Sequence, residues 1–358
     1  MSASTRPVLI MAGGTGGHIF PGLAVADVLR AHGVPVAWLG ARGGMETQVV
    51  PAHGIELHEV PVGGLRGKGW KTRLGAPLML ARALLASLAV LRRVRPRSVL
   101  SMGGYVAGPG GLAARLTGTP LLVHEQNSVA GYTNRKLAGF ARRVLTGFDG
   151  ALPNGVWVGN PVRASIAALA APAERMAGRS GPARLLVLGG SLGARALNLT
   201  VPKALAAMPA ERRPRALHQC GKRGIDEARR AYAEAGVAVD VVPFIDDMAA
   251  AYGEADLAVC RAGALTLAEL TAAGLGALLV PFPYAVDDHQ TRNAEALVVA
   301  GAAELIKESE LDVQQLAQRL TALLADRPGL VAMASAARAL AKPDAAQAIA
   351  NACLEVAA

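Results

Sequence analysis

The stretch VLIMAGGTGGH, residues 8–18, decides the fold, and its pattern returns as LLVLGGSLGAR at residues 185–195. Each copy combines an apolar run, a glycine-rich turn and the beginning of a helical pattern. A strand–turn–helix unit of this kind is typical of a Rossmann-like domain. The two copies predict two domains, with a boundary between residues 161 and 182, where Ala, Pro, Gly and Arg predominate.

Strand-like and helix-like segments alternate along the whole chain. The strand-like runs are apolar throughout, as expected for a sheet that is covered on both faces. They lie at residues 8–11, 36–39, 98–102, 121–124, 185–188, 237–242, 257–260 and 277–280. This alternation predicts an α/β protein with parallel, doubly wound sheets and right-handed crossovers. Because ligands bind beyond the carboxyl ends of such strands, two facing domains would form a cleft between their loop edges.

Composition narrows the class of protein. The chain has 358 residues, of which 52% are hydrophobic and 18% charged, and these values exclude global disorder. Its three cysteines are widely spaced and form no disulfide or metal pattern, so a reducing compartment fits best. The longest apolar run, residues 78–91, contains Arg82 and is shorter than a bilayer span of about 20 residues. With no secretory signal at its start, the chain is expected to be soluble or peripheral.

The net charge of +10 is confined to the first half. Residues 1–163 contain 18 Lys and Arg against 6 Asp and Glu, whereas residues 164–358 contain 19 against 21. Nine basic residues lie between Leu65 and Arg97, together with Trp70 and a Leu/Ala-rich helical pattern. This segment favours contact with an anionic membrane surface. Nucleic acid is disfavoured because aromatic residues are only 4% and no binding signature occurs. A buried helix with solvated arginines at its ends is the other alternative.

Two glycine-rich loops follow strands in the first half. The first, GGTGGH at residues 13–18, is neither a Walker A loop nor a GxGxxG dinucleotide loop. The second, SMGGYVAGPGG, occupies residues 101–111. Glycines let a ligand approach the backbone, and a helix start presents N–H groups to an anion. The pair suits a pyrophosphate, and tight turns without a ligand are the alternative.

Polar residues at these strand ends are candidates for catalysis. His18 begins a helix, whose positive end disfavours the imidazolium and leaves a neutral ring that can accept a proton. A capping or packing role is the alternative for His18. The run HEQN, residues 124–127, ends another strand. There His124 is either a core histidine or a catalytic one, and Glu125 and Asn127 are the better ligand candidates.

The second half has its own candidate groups. A third loop, GGSLG, occupies residues 189–193, and RAGALTLAE at residues 261–269 enters a helix. Glu269 could accept hydrogen bonds from both hydroxyls of a ribose, or it could lie on a solvated helix face. Asp287 and Asp288 lack the Asp-x-Asp spacing of metal-dependent sugar transferases, and we expect them to cap a helix.

Seven motifs, taken in order, closely resemble the MurG family of glycosyltransferases: GGTGGHIFP, GGYVAGPGG, HEQN, GNPVR, GGSLGARALN, RAGALTLAE and DDHQTRNA. The resemblance covers about residues 8–294. It implies the GT-B fold and an inverting transfer of GlcNAc from UDP-GlcNAc to the C4 hydroxyl of MurNAc in lipid I, with no metal or cofactor. The product, lipid II, would form on the cytoplasmic face of the bacterial inner membrane, where other cell-wall synthesis proteins would be further partners.

The resemblance also implies roles for parts of the chain. Residues 1–163 become the acceptor and membrane domain, and residues 164–340 become the UDP-GlcNAc domain. The final helix, residues 341–358, is expected to return to the first domain. His18 is the candidate base, with Glu125 as the second candidate. The acceptor diphosphate would contact Gly14, Gly103, Gly104 and Tyr105. The contacts to UDP-GlcNAc would be Thr15, Gly16, Gly17, Asn127, Arg163, Ser191, Ile245, Ala264, Leu265, Thr266, Leu267, Ala268, Glu269 and Gln290.

The third loop departs from the family pattern, which usually reads GGSQGA. Here Leu192 replaces the glutamine, so any contact made by that side chain is lost, whereas contacts from Ser191 and the backbone are kept. Two rival functions are a UDP-GlcNAc 2-epimerase of the same fold and a non-enzymatic protein that binds anionic lipid. The first gives no reason for a basic, apolar first half, and the second gives no reason for a nucleotide site.

Overall fold

The chain forms two compact units that are connected twice. The computed structural model describes residues 6–63, 70–190 and 193–357, with the backbone alone for residues 70–75 and 286. Domain 1 comprises Met1–Val162 and Pro343–Ala358, and domain 2 comprises Arg163–Lys342.

Domain 1 is built on a parallel sheet of seven strands. The strands are β1 (Val8–Ala12), β2 (Val36–Ala41), β3 (Glu56–Val60), β4 (Ser98–Gly103), β5 (Leu121–Glu125), β6 (Arg143–Thr146) and β7 (Val156–Trp157). The helices are α1 (Gly16–Ala31), α2 (Glu46–Ala52), α3 (Trp70–Val94), α4 (Ala107–Leu116), α5 (Tyr132–Ala138) and α15 (Ala345–Glu355). The strand order is β3-β2-β1-β4-β5-β6-β7, with every pair parallel.

Domain 2 repeats this plan with six strands. They are β8 (Arg184–Leu188), β9 (Arg215–Gln219), β10 (Asp240–Val242), β11 (Leu257–Cys260), β12 (Ala277–Leu279) and β13 (Ala303–Leu305). The helices are α6 (Ala164–Ala167), α7 (Pro172–Arg175), α8 (Arg195–Ala207), α9 (Ile225–Ala235), α10 (Met248–Glu254), α11 (Ala264–Ala273), α12 (His289–Val299), α13 (Val313–Ala325) and α14 (Arg327–Ala339). The strand order is β10-β9-β8-β11-β12-β13, again all parallel.

Both sheets have the same point at which the strand order reverses. In domain 1 it lies between β1 and β4, and in domain 2 between β8 and β11. The predicted α/β class with parallel sheets is confirmed. One predicted strand, residues 237–242, is shorter than expected, since β10 begins only at Asp240. The two glycine loops that open the halves follow β1 and β8, and so they lie where a doubly wound sheet binds ligands.

The apolar strand residues form the cores. All five residues of β1 are buried, and Trp38 on β2 is fully buried with its Nε1–H donating to the carbonyl of Ala12 at 2.9 Å. The helix α15 packs on α1 and completes this core with Ile349 and Cys353. The Ser98 hydroxyl donates to the carbonyl of Cys353 at 2.8 Å. Domain 1 therefore takes part of its core from the last residues of the chain.

The long helix α3 contains the apolar run noted in the sequence. Its side chains from residue 76 onward are described, whereas residues 64–69 and the side chain of Trp70 lie outside the described part. Within the described residues, no helix is both long and apolar enough to cross a membrane.

Candidate functional site

The two glycine loops of domain 1 lie side by side, because β1 and β4 are neighbours. Gly103 and Gly104 have φ values of +103° and +87°, which favour glycine. A Cβ on Gly104 would overlap the carbonyl of Gly13, so the two loops touch through backbone. The ring of Tyr105, 53% exposed, lies beside Gly14.

A buried carboxylate supports the first loop. Glu46, the first residue of α2, is fully buried, and its Oε2 accepts a hydrogen bond from the Gly14 N–H at 3.1 Å. Its Oε1 accepts from the Ala41 N–H at 2.8 Å. A Cβ on Gly13 would overlap Glu46, so the close approach requires glycine there. The N–H of Gly14 is therefore already hydrogen-bonded inside the domain.

His18 lies in the first turn of α1. The helix begins at Gly16 after Thr15, which has extended backbone and makes no side-chain cap hydrogen bond. The half-buried His18 ring lies against Gly103, where a Cβ would come within 3.0 Å of Cε1 and Nδ1. Its Nδ1 is 3.0 Å from Oε1 of Gln126. Thr15, Gly16, Gly17 and His18 thus form one helix start at the carboxyl end of β1.

Glu125 has a different position from the one expected of a base. Its side chain is 2% exposed, and its Oε1 accepts from the backbone N–H of Asn127 at 3.0 Å and from the Asn127 side-chain amide at 3.3 Å. Its Oε2 accepts from the Gly131 N–H at 3.1 Å and from Asn134 Nδ2 at 3.0 Å. The carboxylate therefore holds the loop after β5, and this geometry favours His18 as the base.

His124 is a satisfied core histidine. It is fully buried, and its Nε2 is 2.9 Å from the carbonyl oxygen of Gly159. Burial lowers the pKa of His124 to about 4, so the ring is neutral at pH 7. Of the two interpretations that the sequence allowed, the structure supports the packing one.

In domain 2, the glycine loop after β8 is supported by an amide. Gln219, at the end of β9, accepts from the Gly190 N–H at 3.0 Å through Oε1. Its Nε2 donates to the carbonyls of Gly190 at 2.8 Å and Pro243 at 3.2 Å. Ser191 and Leu192 lie outside the described residues. We call Glu46 and Gln219 the clamp residues of their loops.

Glu269 and Arg163 meet within domain 2. Arg163 donates to Glu269 Oε1 from Nη2 at 2.8 Å and from Nε at 3.2 Å, and the Tyr252 hydroxyl donates to Oε2 at 3.0 Å. The Glu269 side chain is 19% exposed, so it does not lie on a solvated helix face. Burial raises the pKa of Tyr252 well above its usual value, so this phenol stays protonated as a donor.

Gln290 connects two loops at the carboxyl edge of the domain 2 sheet. Its Oε1 accepts from the N–H groups of Ala262 at 3.2 Å and Phe282 at 2.9 Å. The helix α11 begins beyond Gly263, and Ile245 follows β10 by three residues. The candidate residues of this domain that the structure describes therefore lie toward one edge of the sheet. Those on α11 itself are Ala264, Leu265, Thr266, Leu267, Ala268 and Glu269.

Asp288 occupies the predicted helix-cap position, with an unexpected hydrogen bond. It precedes α12, but its side chain makes no cap bond to the backbone and instead accepts from the Thr291 hydroxyl at 2.7 Å. Asp287 and Asp288 both have positive φ values, 55° and 50°. Such backbone is uncommon outside glycine and marks a constrained turn. The part of the chain that the structure describes contains no cluster of three or more His, Cys, Asp or Glu suited to a metal ion.

Sequence reasoning missed several residues that shape these sites. Glu46, Asn134, Gln219 and Tyr252 bind groups that are distant along the chain, and no local motif signals them. Gln126 was visible inside the HEQN run, but its role depends on the hydrogen bonds of both neighbouring histidines.

The fold and these sheet-edge loops define a glycosyltransferase of the GT-B class. Residues 8–146 match the family model "Glycosyltransferase family 28 N-terminal domain", and residues 184–349 match its "C-terminal domain" counterpart. The chain belongs to glycosyltransferase family 28 and, within it, to the MurG transferases. Two full-length relatives support this membership.

The first relative is the UDP-N-acetylglucosamine–N-acetylmuramyl-(pentapeptide) pyrophosphoryl-undecaprenol N-acetylglucosamine transferase of Alkalilimnicola ehrlichii. It is 61% identical over 353 residues, covering 98% of this chain and 99% of the relative. The second is the crystal structure of Acinetobacter baumannii MurG, with 39% identity, a TM-score of 0.88, and coverage of 98% and 99%. A UDP-GlcNAc 2-epimerase from Neisseria meningitidis also superposes, with a TM-score of 0.66 and coverage of 98% and 100%. Its 11% identity shows the shared fold alone.

Proposed function

We propose that this chain transfers GlcNAc from UDP-GlcNAc to the C4 hydroxyl of MurNAc in lipid I, with inversion, and so produces lipid II. The observation that carries the proposal is the similarity to MurG transferases along both domains and nearly the full length of the chain. The epimerase alternative is not favoured, because that likeness extends only to the fold.

Domain 2 is proposed to bind the nucleotide sugar. Arg163 and Tyr252 each bind one carboxylate oxygen of Glu269 and so fix the orientation of the carboxylate. A group that accepts hydrogen bonds from a ribose needs such a fixed orientation. The start of α11 offers backbone N–H groups to the diphosphate. Ile245 is assigned to the uracil through its backbone, and Gln290 is assigned as a further contact to UDP-GlcNAc. Ser191, outside the described residues, is assigned to the phosphates.

Domain 1 is proposed to bind the acceptor and to supply the base. His18 accepts the proton of the C4 hydroxyl as its oxygen attacks the anomeric carbon. The bond from that carbon to the oxygen of UDP breaks, and UDP leaves with the bonding electron pair. Helix starts and Arg163 stabilise the charge that develops on UDP. Gly103, Gly104 and Tyr105 are the groups assigned to the acceptor diphosphate, since the N–H of Gly14 is bound to Glu46.

A membrane-facing role is proposed for the helix pair α3 and α4, which pack on each other. On α3, Leu78 and Leu85 are 59% and 66% exposed beside the exposed Arg82. On α4, Leu116 is 61% exposed next to Arg115. Apolar side chains mixed with cations suit the anionic surface of the cytoplasmic leaflet. Residues 65–97, which contain no Asp or Glu, would then hold the enzyme at the membrane where lipid I is made. Other cell-wall synthesis proteins would be its neighbours there.

One assay tests the reaction. The protein is incubated with radiolabelled UDP-GlcNAc and a lipid I analogue, and the products are separated. Label in the lipid product is expected. Label in free ManNAc would instead identify an epimerase, and the absence of turnover would leave a lipid-binding protein.

A second assay tests the membrane surface. Sedimentation with vesicles containing anionic lipid should fall with rising salt, and it should fall further when Arg82, Arg92 and Arg93 are replaced by Gln. The control replaces three exposed arginines of domain 2, Arg212, Arg229 and Arg230. Equal binding by both triple variants would refute the proposed surface.

A further inference from the structure

We propose that Gln126 is a positioning residue that holds His18 in the tautomer protonated at Nδ1, so that Nε2 keeps the lone pair that accepts the substrate proton. This inference rests on the proposed function, which makes His18 the base. It follows from a chain of hydrogen bonds within domain 1 whose donors and acceptors can be assigned one after another from a single fixed point.

The fixed point is the backbone carbonyl of Gly159. A carbonyl oxygen only accepts hydrogen bonds, and His124 Nε2 lies 2.9 Å from it, so Nε2 carries a proton. His124 is fully buried and neutral at pH 7, because burial lowers its pKa to about 4. A neutral imidazole has one N–H, and therefore Nδ1 of His124 is an acceptor.

The orientation of the Gln126 amide follows. Its Nε2 lies 3.1 Å from His124 Nδ1 and 3.2 Å from the carbonyl oxygen of His124, and both of these are acceptors. The reverse orientation would place the amide oxygen against two lone pairs. The backbone is fixed as well, because the carbonyl of Gln126 accepts from Asn160 Nδ2 at 2.9 Å. The amide oxygen therefore faces away from His124.

That oxygen meets His18. Oε1 of Gln126 lies 3.0 Å from Nδ1 of His18, and an amide oxygen can only accept, so Nδ1 donates. The neutral ring then has its lone pair on Nε2. The ring also lies against Gly103, since a Cβ there would come within 3.0 Å of Nδ1. Because a free neutral imidazole in water prefers its proton on Nε2, Gln126 selects the less common form.

The proton balance of the transfer is simple. The C4 hydroxyl proton passes to Nε2 of His18, and the Nδ1 proton stays on its hydrogen bond to Gln126. The amide and His124 move no proton. The imidazolium that forms therefore keeps an acceptor at Nδ1, and the ring does not need to reorient during the step.

The test measures the tautomer directly in the full-length protein without substrate. Histidine is labelled with ¹⁵N, and two-bond ¹⁵N–¹H correlation spectra distinguish protonated Nδ1 from protonated Nε2. The spectrum of His18→Ala identifies the His18 signals. Wild-type His18 is expected to be protonated at Nδ1 at neutral pH. Gln126→Met, which removes the acceptor at similar volume, is expected to shift His18 toward the Nε2-protonated form and to lower kcat by less than the ~10²- to 10⁴-fold that the base itself contributes.

Two further variants separate positioning from general damage. Gln126→Glu keeps an oxygen acceptor for Nδ1 of His18 and should keep that nitrogen protonated, while the loss of the donor to His124 should lower the stability of the protein. Gln219→Met makes the same chemical change at the clamp residue of domain 2 and should leave the His18 signals where they are. Wild-type His18 protonated at Nε2, or signals that do not change in Gln126→Met, would overturn the inference. A wild-type protein without transferase activity would overturn the proposed function and leave the tautomer result standing.

Discussion

The first glycine loop of each domain follows the equivalent strand of its sheet, β1 or β8, but the two loops are held by different side chains. In domain 1, the N–H groups of Gly14 and Ala41 converge on Glu46, so the clamp residue has to accept twice. In domain 2, Gln219 accepts from the N–H of Gly190 and donates to two carbonyls. A carboxylate only accepts, whereas an amide does both. The backbone groups around each loop therefore decide which side chain fits: two N–H groups require a carboxylate, whereas one N–H and two carbonyls require an amide. The net charge of the domain does not decide it.

The two domains also differ in their proposed roles. Domain 1 places a proton acceptor beside its loops, and domain 2 places a fixed carboxylate for the nucleotide. Changes in domain 1 should therefore act on kcat, and changes in domain 2 should act on the KM for UDP-GlcNAc.

The largest effect is expected for His18→Ala. Loss of a general base lowers kcat by about 10²- to 10⁴-fold, while the KM for UDP-GlcNAc should hardly change. Steady-state kinetics with saturating lipid I analogue measure both constants. His32→Ala, at the exposed end of the same helix, is the control. A near-wild-type kcat for His18→Ala would show that His18 is not the base.

Acid should destabilise each domain through a fully buried histidine, His124 in domain 1 and His218 in domain 2. Burial lowers the pKa of His124 and of His218 to about 4, so the native protein keeps both rings neutral. Unfolded histidine binds a proton below pH ~6.5, so the free energy of unfolding falls as pH drops from about 6.5 to about 4. The expected loss is about 3 kcal/mol for each histidine. Urea denaturation at several pH values measures it.

The matched variants assign this loss to each domain. His124→Gln and His218→Gln should each reduce the pH dependence of unfolding in their own domain, and His53→Gln, on the surface, should not. An identical pH dependence in all three variants would show that other groups dominate acid unfolding.

Exchanging the carboxylate and the amide of the two clamp residues tests whether each loop needs its own side chain. Glu46→Gln turns an NH₂ group toward an N–H donor, and Gln219→Glu turns a carboxylate oxygen toward two carbonyls. Each change should lower the free energy of unfolding by about 2 kcal/mol, the cost of an unsatisfied buried polar group. Glu234→Gln and Gln318→Glu make the same changes on the surface and serve as controls. If the clamp variants were as stable as these controls, the donor and acceptor groups around the loops would not determine the clamp residue.

The smallest effect is expected for Glu269→Ala. Loss of the ribose acceptor should raise the KM for UDP-GlcNAc by about tenfold, the equivalent of one net hydrogen bond. The KM for the lipid acceptor should stay the same. Glu295→Ala, an exposed acid on α12, is the control. An unchanged KM for UDP-GlcNAc would separate Glu269 from the nucleotide.

The sequence allowed most of the fold to be predicted, because the central strands are continuous apolar runs. It missed β9, where His218 and Gln219 are buried but polar and interrupt the apolar pattern. It also missed the outermost strands β3 and β13, and β6 and β7 at the other edge of the first sheet, where the strands are only four and two residues long. Edge strands of this length bury too little to leave a readable pattern.

The candidate site was predictable only where its residues are close together in the chain. His18 and the glycine loops follow strands directly, and their positions could be inferred from that alone. Glu46 reaches Gly14 across 32 residues, and Gln219 reaches Gly190 across 29, so no local spacing encodes these contacts. The family resemblance offered Glu125 as a second candidate base, but its carboxylate accepts four hydrogen bonds from Asn127, Gly131 and Asn134, whose positions after β5 the sequence did not reveal.

The return of α15 to domain 1 bears on how the chain is synthesised. The ribosome makes β1 well before α15, yet the core around β1 includes Ile349 and Cys353, which are made only after all of Arg163–Lys342 has been translated. At roughly 5–20 residues per second, that interval is on the order of 10–40 s. Domain 2 is continuous and can complete itself during this time. Domain 1 is thus completed after domain 2, and until α15 has been made, the apolar side chains that α15 covers stay exposed to solvent.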